Sequence, residues 1–502
     1  MNDGSSQQDA TDETTGATRA KVFAPLDIAP LIFFRIFFGG AMVYHVTSMA
    51  WDQWIHFFYI APVTHFTYPG FTWVRPWPGD AMYVHFTVMG VAAFFVMIGF
   101  LYRLNAAIFF LCITHVFLIE KALYQNHYYL ICLLSGIMVF VPAHGSASVD
   151  RLLKPSLRQV TAPAVWLWLL RAQLAIPYLY GGIAKLNADW LHGMPIRLWL
   201  ERRADLPWIG PWLNTELSVS VFVWGGPLFD LLIVPALLWK PTRGVAYLLS
   251  VVFHLINALL WDIGIFPWFM IGATLLFFSP GSFRRILSLR AVKVLEQPRN
   301  RLPWNRRQRL LAGCLAIYMA WQLLWPFRHF LYPGNVSWTE EGHHFAWHMM
   351  LRDKGVGIRF FLFDRSTGKR GLLKVSTFLN ERQLSRMGKD PDMILEFVHF
   401  VRDHYREHGR DELAIRVLAL ASLNGRRPQL LIDPHIDYTA VERTWGKQYW
   451  VIPLHEPIQT DGWKLPLDQW ENELAELIPD DVKLVNPVQR LQRSEKGAQI
   501  PD

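Results

Sequence analysis

The chain has 502 residues, of which 52 % are apolar, 15 % aromatic and only 18 % charged, and its mean hydropathy is positive. That balance is the composition of an integral membrane protein. The net charge of +8 does not imply a nucleic-acid partner, because nine Lys or Arg fall between Arg284 and Arg309 against one acid, Glu296. A basic block between two apolar runs is a cytoplasmic loop. All three cysteines, Cys112, Cys132 and Cys314, lie in apolar runs, so none serves a disulfide in a water-exposed domain, and the redox compartment stays open.

Residues 1–24 are rich in Ser, Thr, Asp and Gly and are read as a disordered cytoplasmic tail. They carry no basic n-region before an apolar core, so the first span is expected to direct insertion without a cleaved signal. Apolar stretches of about the length that crosses a bilayer, 17 to 25 residues, follow at 28–50, 81–101, 104–120, 128–142, 163–184, 217–239, 244–260, 264–279 and 310–327. The expected fold is therefore a membrane all-α bundle of about nine transmembrane helices over 25–327. The basic residues Arg103, Arg151, Lys154, Arg158, Lys240 and Arg243 and the 284–309 loop all fall on one side of this alternation, which places the N-terminus inside. The loops at 51–80, 121–127, 185–216 and 261–263, and everything beyond 328, then lie outside. Trp51, Trp54, Tyr59, Trp73 and Trp77 among the prolines of the first outer loop have the composition of an interfacial aromatic belt.

From 328 the pattern becomes that of a water-exposed domain, expected over 328–485 as a mainly β, α+β fold with a flexible tail at 486–502. Asp390, Pro391 and Gly409 supply a cap, a first-turn proline and a stop around the stripe Met393, Ile394, Phe397, Val398, Val401 and Tyr405. The runs IRFFLFD, LAIRVLALAS and PQLLID are strand-like, and Asn424-Gly425 between the last two signals a hairpin. There is no internal repeat.

Chemistry concentrates at the predicted outer side. Lys185, in YLYGGIAKLNADWLHGMP, ends an uncharged apolar run, and an ionisable group there is a functional-site hypothesis. Pro177 and Gly181-Gly182 before it offer a kink and a surface for close approach. A desolvated lysine loses proton affinity and serves as a base; the alternative is a snorkelling lysine paired with Asp189. His127 and Asn126, in YQNHYYL, are either hydrogen-bond donors to a developing oxyanion or a helix cap. His254 and Asn257 share a helix face and either line a polar pocket or join helices. Arg171, about 21 Å along the helix from Lys185, is read as structural. His343, His344 and His348 lack the glutamate of an HExxH pattern and further ligands at a recognisable spacing, so no metal is expected. No P-loop, dinucleotide fingerprint, GxSxG elbow or CxxC is present.

The succession YQNHYYL, YLYGGIAKLNADWLHG, FHLINALLWDIGIFPWFM, NVSWTEEGHHFAWHMM and LLIDPHIDYTAVERTW resembles the vitamin K-dependent gamma-carboxylases from about residue 28 to about 456. The resemblance implies that Lys185, in the family's K-L-x-A-D-W motif, is the base that deprotonates vitamin K hydroquinone. Asn126 and His127 would stabilise the anion as dioxygen adds. The oxygenated quinone would then take the γ-proton of a protein or peptide glutamate and leave as the epoxide, while the carbanion captures carbon dioxide. Phe266 and Met270 would line the quinone pocket together with His254 and Asn257, and Met349 and Met350 from the outer domain would form its lid. Ordinary core packing is the alternative for the aromatic and the methionines. Arg202, Arg203 or His329 would hold the glutamate carboxylate.

This sequence departs from the animal members in carrying Ala184 where they have a second lysine, in lacking cysteines for their outer disulfide, and in the shorter segment after the shared outer domain. The compact form resembles a bacterial member, which makes the expected site an inner membrane with a periplasmic domain. Two alternatives stand beside a carboxylase: an epoxidase that does not carboxylate, and a non-catalytic quinone-binding sensor. A transporter is disfavoured because the polar residues gather toward one side instead of the midplane. The natural substrate, the quinone tail and the oligomeric state are not legible in the sequence.

Overall fold

The computed structural model describes residues 22–289 and 304–483. The tails expected at 1–24 and 486–502 and the middle of the 284–309 loop lie largely or wholly outside the described residues. The chain forms two compact units that exchange short segments. The first holds residues up to Asn187, Arg203–Arg328 and His344–Met350; the second holds Ala188–Arg202, His329–His343 and the chain from Leu351.

The first unit is helical, and each of the nine apolar stretches contributes one helix. They are α1 (Ala29–Trp51), α2 (Ala81–Ile98), α3 (Tyr102–Ile119), α4 (Asn126–Phe140), α5 (Ala164–Ala184), α6 (Glu216–Leu238), α7 (Arg243–Leu260), α8 (Phe266–Ala273, continued as a 3-10 turn over Thr274–Phe277) and α9 (Arg306–Leu324). Six of them, α1, α2, α3, α6, α7 and α9 with its 3-10 extension, are long and apolar enough to cross a membrane among the described residues. Helices α4 and α8 are shorter and α5 is not among the six, so nine apolar stretches are helical but only six helices qualify as spans by length and composition among the described residues; short helices at Val149–Leu153, Gly210–Leu213 and Pro280–Ile286 lie between them. Termini follow local chemistry. Helix α2 stops at Gly99, whose φ of +70° is the left-handed conformation that favours glycine. Helix α9 starts with a capping box between Asn305 and Gln308.

One polar residue braces this bundle from inside. Arg35 of α1 is fully buried and donates to the carbonyls of Ala143 and Ala147, at 3.0 and 2.5 Å. Beside it Pro25–Asp27 pairs antiparallel with Thr161–Pro163. Asp27 accepts from the Ala29 amide and binds Arg284 at 2.5 and 2.8 Å.

The second unit is built on a four-stranded antiparallel sheet of order β2-β1-β3-β4 with β1 Lys354–Asp364, β2 Arg370–Leu372, β3 Leu413–Leu423 and β4 Gln429–Leu430. Strands β1 and β3 pair along their whole length, Lys354 opposite Leu423 through Asp364 opposite Leu413. Both faces of β3 are covered, which explains the apolar run Val417–Ala421 in it. On one face Phe360 of β1 meets Phe397 of the helix α11 (Pro391–Glu407), which follows α10 (Glu381–Met387). On the other, Leu418 and Leu420 join Trp470, Leu474 and Ile478. The Asp390 carboxylate caps α11 by accepting from the Asp392 amide. Asn424 and Gly425 both have positive φ, as a tight hairpin turn requires. The sheet is smaller than a mainly β domain: of PQLLID only Gln429–Leu430 joins the ladder, with Ile432 bridging to Val451. Helices, 3-10 turns and irregular segments make up the rest.

Candidate active site

Lys185 is the C-cap of α5, where a carbonyl-rich helix end favours a cation. Tyr178, Gly181 and Lys185 recur at i, i+3 and i+7 and so share one face of the helix. The amine is buried and donates to the Gly181 carbonyl at 3.2 Å and to Asp230 Oδ2 of α6 at 2.5 Å. The close approach of α6 depends on the glycine pair. A Cβ on Gly182 would lie 2.7 Å from Leu231 Cγ and 3.2 Å from Asp230 Cβ. One on Gly181 would lie 2.9 Å from Met349 Cε, 3.3 Å from Asp230 Oδ2 and 3.8 Å from Lys185 Nζ.

Asn126 is the first residue of α4, and the helix is capped at Gln125 without a side-chain bond, which corrects the cap alternative. The amide side chain works across space instead. Its Oδ1 accepts from the Tyr124 hydroxyl at 2.9 Å, and that hydroxyl accepts from the Phe345 amide at 2.7 Å. Its Nδ2 donates to the His348 carbonyl at 3.1 Å. The segment His344–Met350 is thereby pinned to the start of α4, and its Met349 methyl reaches Gly181 beside the lysine. These two methionines group with the helical unit, not with the second unit.

His127 stacks on Phe266 with centroids 5.7 Å apart and 26° between planes, and meets Tyr128 at 4.5 Å. Phe266 meets His254 edge-on at 5.9 Å, and His254 Nε2 bonds the Tyr178 hydroxyl at 2.8 Å. A closed circuit of contacts therefore runs from Lys185 and Asp230 through Gly181 and Met349 to Asn126, on through His127, Phe266 and His254 to Tyr178, and back along α5. The buried Nδ1 of His254 has no hydrogen-bond partner among the described residues. Sequence reasoning missed three members of this neighbourhood: Asp230, Tyr178, and the buried His45, whose ring lies 5.3 Å from Tyr128 and whose Nε2 likewise has no partner. The available signal was an acid or histidine within an apolar span.

The remaining expected residues have these surroundings. Met270 is a core residue of the helical unit. Asn257 is half-buried and gives its carbonyl to the Trp261 amide. Met350 is half-buried with φ +52°. Arg171 donates to the carbonyls of Leu276 and Phe278 and lies over Trp168, a structural role as expected. Arg202 is bound by Asp353 in the second unit, the His329 ring lies against Phe330 there with the planes tilted by 37°, and Arg203 groups with the first unit. The three cations do not form one cluster within either unit.

In the second unit Asp189 is buried and both its oxygens are engaged, by Arg426 Nη1 and Nη2 at 2.6 and 2.8 Å and by Asn424 Nδ2 at 2.7 Å. The acid found beside the lysine is thus Asp230, while Asp189 serves the second unit. Burial alone would push the Asp189 carboxyl up, yet the bonds from Arg426 and Asn424 hold it below the usual carboxylate range. His343 packs with Arg352 and Glu340. Beside them burial pushes the Lys354 amine down to about 8, with the amine donating to the carbonyls of Trp338 and Lys389.

The family model of the HTTM domain matches residues 23–281, just over half of the chain, and that of the vitamin K-dependent gamma-carboxylase lumenal domain matches 307–457. No solved structure matches. The first match covers eight of the nine helices, and the second covers α9 and most of the second unit. They describe a membrane protein with an extracytoplasmic domain. Taken in this order along one chain, they show that it belongs to the vitamin K-dependent gamma-carboxylase family.

Proposed function

We propose that this protein is an integral-membrane gamma-glutamyl carboxylase, coupling oxygenation of vitamin K hydroquinone by dioxygen to carboxylation of a protein or peptide glutamate by carbon dioxide. The observation that carries this reading is the buried Lys185 amine within one circuit of contacts that also holds Asn126 and His127. The residues present suit a flat, mostly apolar ring. Phe266, His127 and Tyr128 offer aromatic faces, and the unpartnered Nδ1 of His254 is a buried polar atom that a ligand hydroxyl would satisfy.

When bound, the hydroquinone supplies the oxidisable ring whose oxygenation drives removal of the glutamate γ-proton. The protein's own part starts at Lys185 Nζ. The amine donates to Gly181 O and Asp230 Oδ2, which orient it, and in its neutral form it accepts a proton through its nitrogen lone pair. Asn126 keeps one amide hydrogen beyond its bond to His348, and His127 offers a ring N–H; both stabilise negative charge on a neighbouring oxygen. The apolar surroundings exclude water and strengthen these contacts. For the glutamate carboxylate we assign Arg203, whose guanidinium makes no ion pair among the described residues, ahead of Arg202, which Asp353 already engages.

In this reading all nine helices of 25–327 span an inner membrane with the N-terminus inside, and the domain over 328–485 is periplasmic. The decisive experiment supplies purified protein with reduced vitamin K, labelled bicarbonate and a glutamyl peptide. Label in the peptide together with epoxide supports the carboxylase. Epoxide without label leaves the epoxidase, and neither product from folded protein leaves the quinone-binding sensor.

A further inference from the structure

The Lys185–Asp230 pair carries an inference that rests on the proposed function and deepens it. The amine and the carboxylate come from different helices, meet at 2.5 Å, and both side chains are at least nine-tenths buried. Gly181 and Gly182 have no side chains to separate them, and Gly182 lets α6 bring Asp230 Cβ against α5. A lone carboxylate in an apolar helix interior is strongly disfavoured, so its presence in α6 calls for a partner and a use.

A base has to hold the proton once taken, and a solitary ammonium in this setting is as unfavourable as a solitary carboxylate. We propose that Asp230 is a positioning residue for Lys185: its carboxylate aims the amine and neutralises the ammonium formed when Nζ takes a proton. In that step an O–H bond of the hydroquinone breaks, an N–H bond forms at Nζ, and the bonding pair stays with the oxygen. The positive charge left on nitrogen lies at contact distance from the Asp230 carboxylate. Tyr178 on the same helix, bonded to His254 of α7, is a further titratable group near Asp230. Asp230 is an acid bonded to the amine.

The test reads the amine without any quinone. Detergent-solubilised full-length protein is treated with an amine-acylating ester across a pH series, and modification of Lys185 is followed by mass spectrometry. Only the neutral amine reacts, so the midpoint reports its proton affinity. In Asp230→Asn the midpoint should fall by about one pH unit or more, the effect of removing an opposite charge at this range. The rising limb of epoxide formation should move the same way, with a lower plateau. Asp230→Glu should keep the midpoint near that of the wild type. A folded Asp230→Asn whose midpoint is unmoved overturns the proposal.

If Asp230→Asn does not fold, the double variant Lys185→Met, Asp230→Leu decides. Recovery of the fold supports a carboxylate whose work is to neutralise Lys185, and failure to recover contradicts it. A midpoint shifted in Asp230→Asn, together with a wild type that makes no epoxide, would retain the pair and discard the carboxylase reading. Lysine-dependent epoxide with an unmoved midpoint would do the reverse.

Discussion

Lys185 is placed to take a proton because its amine is removed from water and oriented by bonds to Gly181 and Asp230, so its activity should depend on its ionisation. Epoxide formation is expected to rise with pH through a single ionisation; a flat profile from pH 6 to 9 measured on wild type would contradict a lysine base. Asp189, four residues on, has the opposite task. Its carboxyl is held below the ordinary value of 3.8, so its stabilising contribution is complete above that value and is lost as pH falls through the lowered one. Arg426→Ala strands this buried carboxylate and should cost about 3–5 kcal/mol, read as a lower denaturant midpoint for the second unit with the acid limb moved to higher pH. The lysine was legible in the sequence because a charge at the end of an apolar run is rare. Its partner was not, because Asp230 lies 45 positions away in sequence and only the packing of α5 on α6 joins them. Asn126 was legible as a polar helix start, but its bond to the His348 carbonyl spans 222 positions.

Among the elements, α5 and α6 matter most, and their contact is made by glycine. Gly182→Ala introduces a methyl 2.7 Å from Leu231 Cγ. The overpacking should destabilise the helical unit by roughly 1–3 kcal/mol, visible as a lower thermal midpoint in detergent, with epoxide formation reduced as Asp230 is displaced. An unchanged midpoint and rate would show that the two helices tolerate a wider spacing. Hydropathy located all nine helices, since each is predominantly apolar, with polar residues such as Arg35, Arg171 and Asp230 too few to break the run. It could not rank them: α4 and α8 are shorter than the six that qualify as spans. Helix α11 was legible in full, since its cap, proline and stripe agree. The strand expected over PQLLID was not, because β4 pairs with β3 for only two residues before the chain leaves toward Val451.

At the level of the whole molecule the topology rests on basic residues and on the family matches. A protease-cleavable tag after the last residue should be accessible from the extracytoplasmic side of sealed vesicles alone; cleavage from the cytoplasmic side would reverse the orientation of the helical unit. Composition made the membrane class and the exposed C-terminal domain readable. It could not reveal that short segments are exchanged between the two units, so that Met349 belongs with the helices and Asp189 with the sheet. The claim on which the rest depends is that Lys185 acts as the base in oxygenating reduced vitamin K. The most direct measurement is epoxide formed by purified wild type and by Lys185→Ala of matched folding. The account predicts epoxide from the wild type and a loss of about a hundredfold or more in the variant, the scale on which a positioned base acts. Equal rates from the two, or no epoxide from a folded wild type, would contradict it.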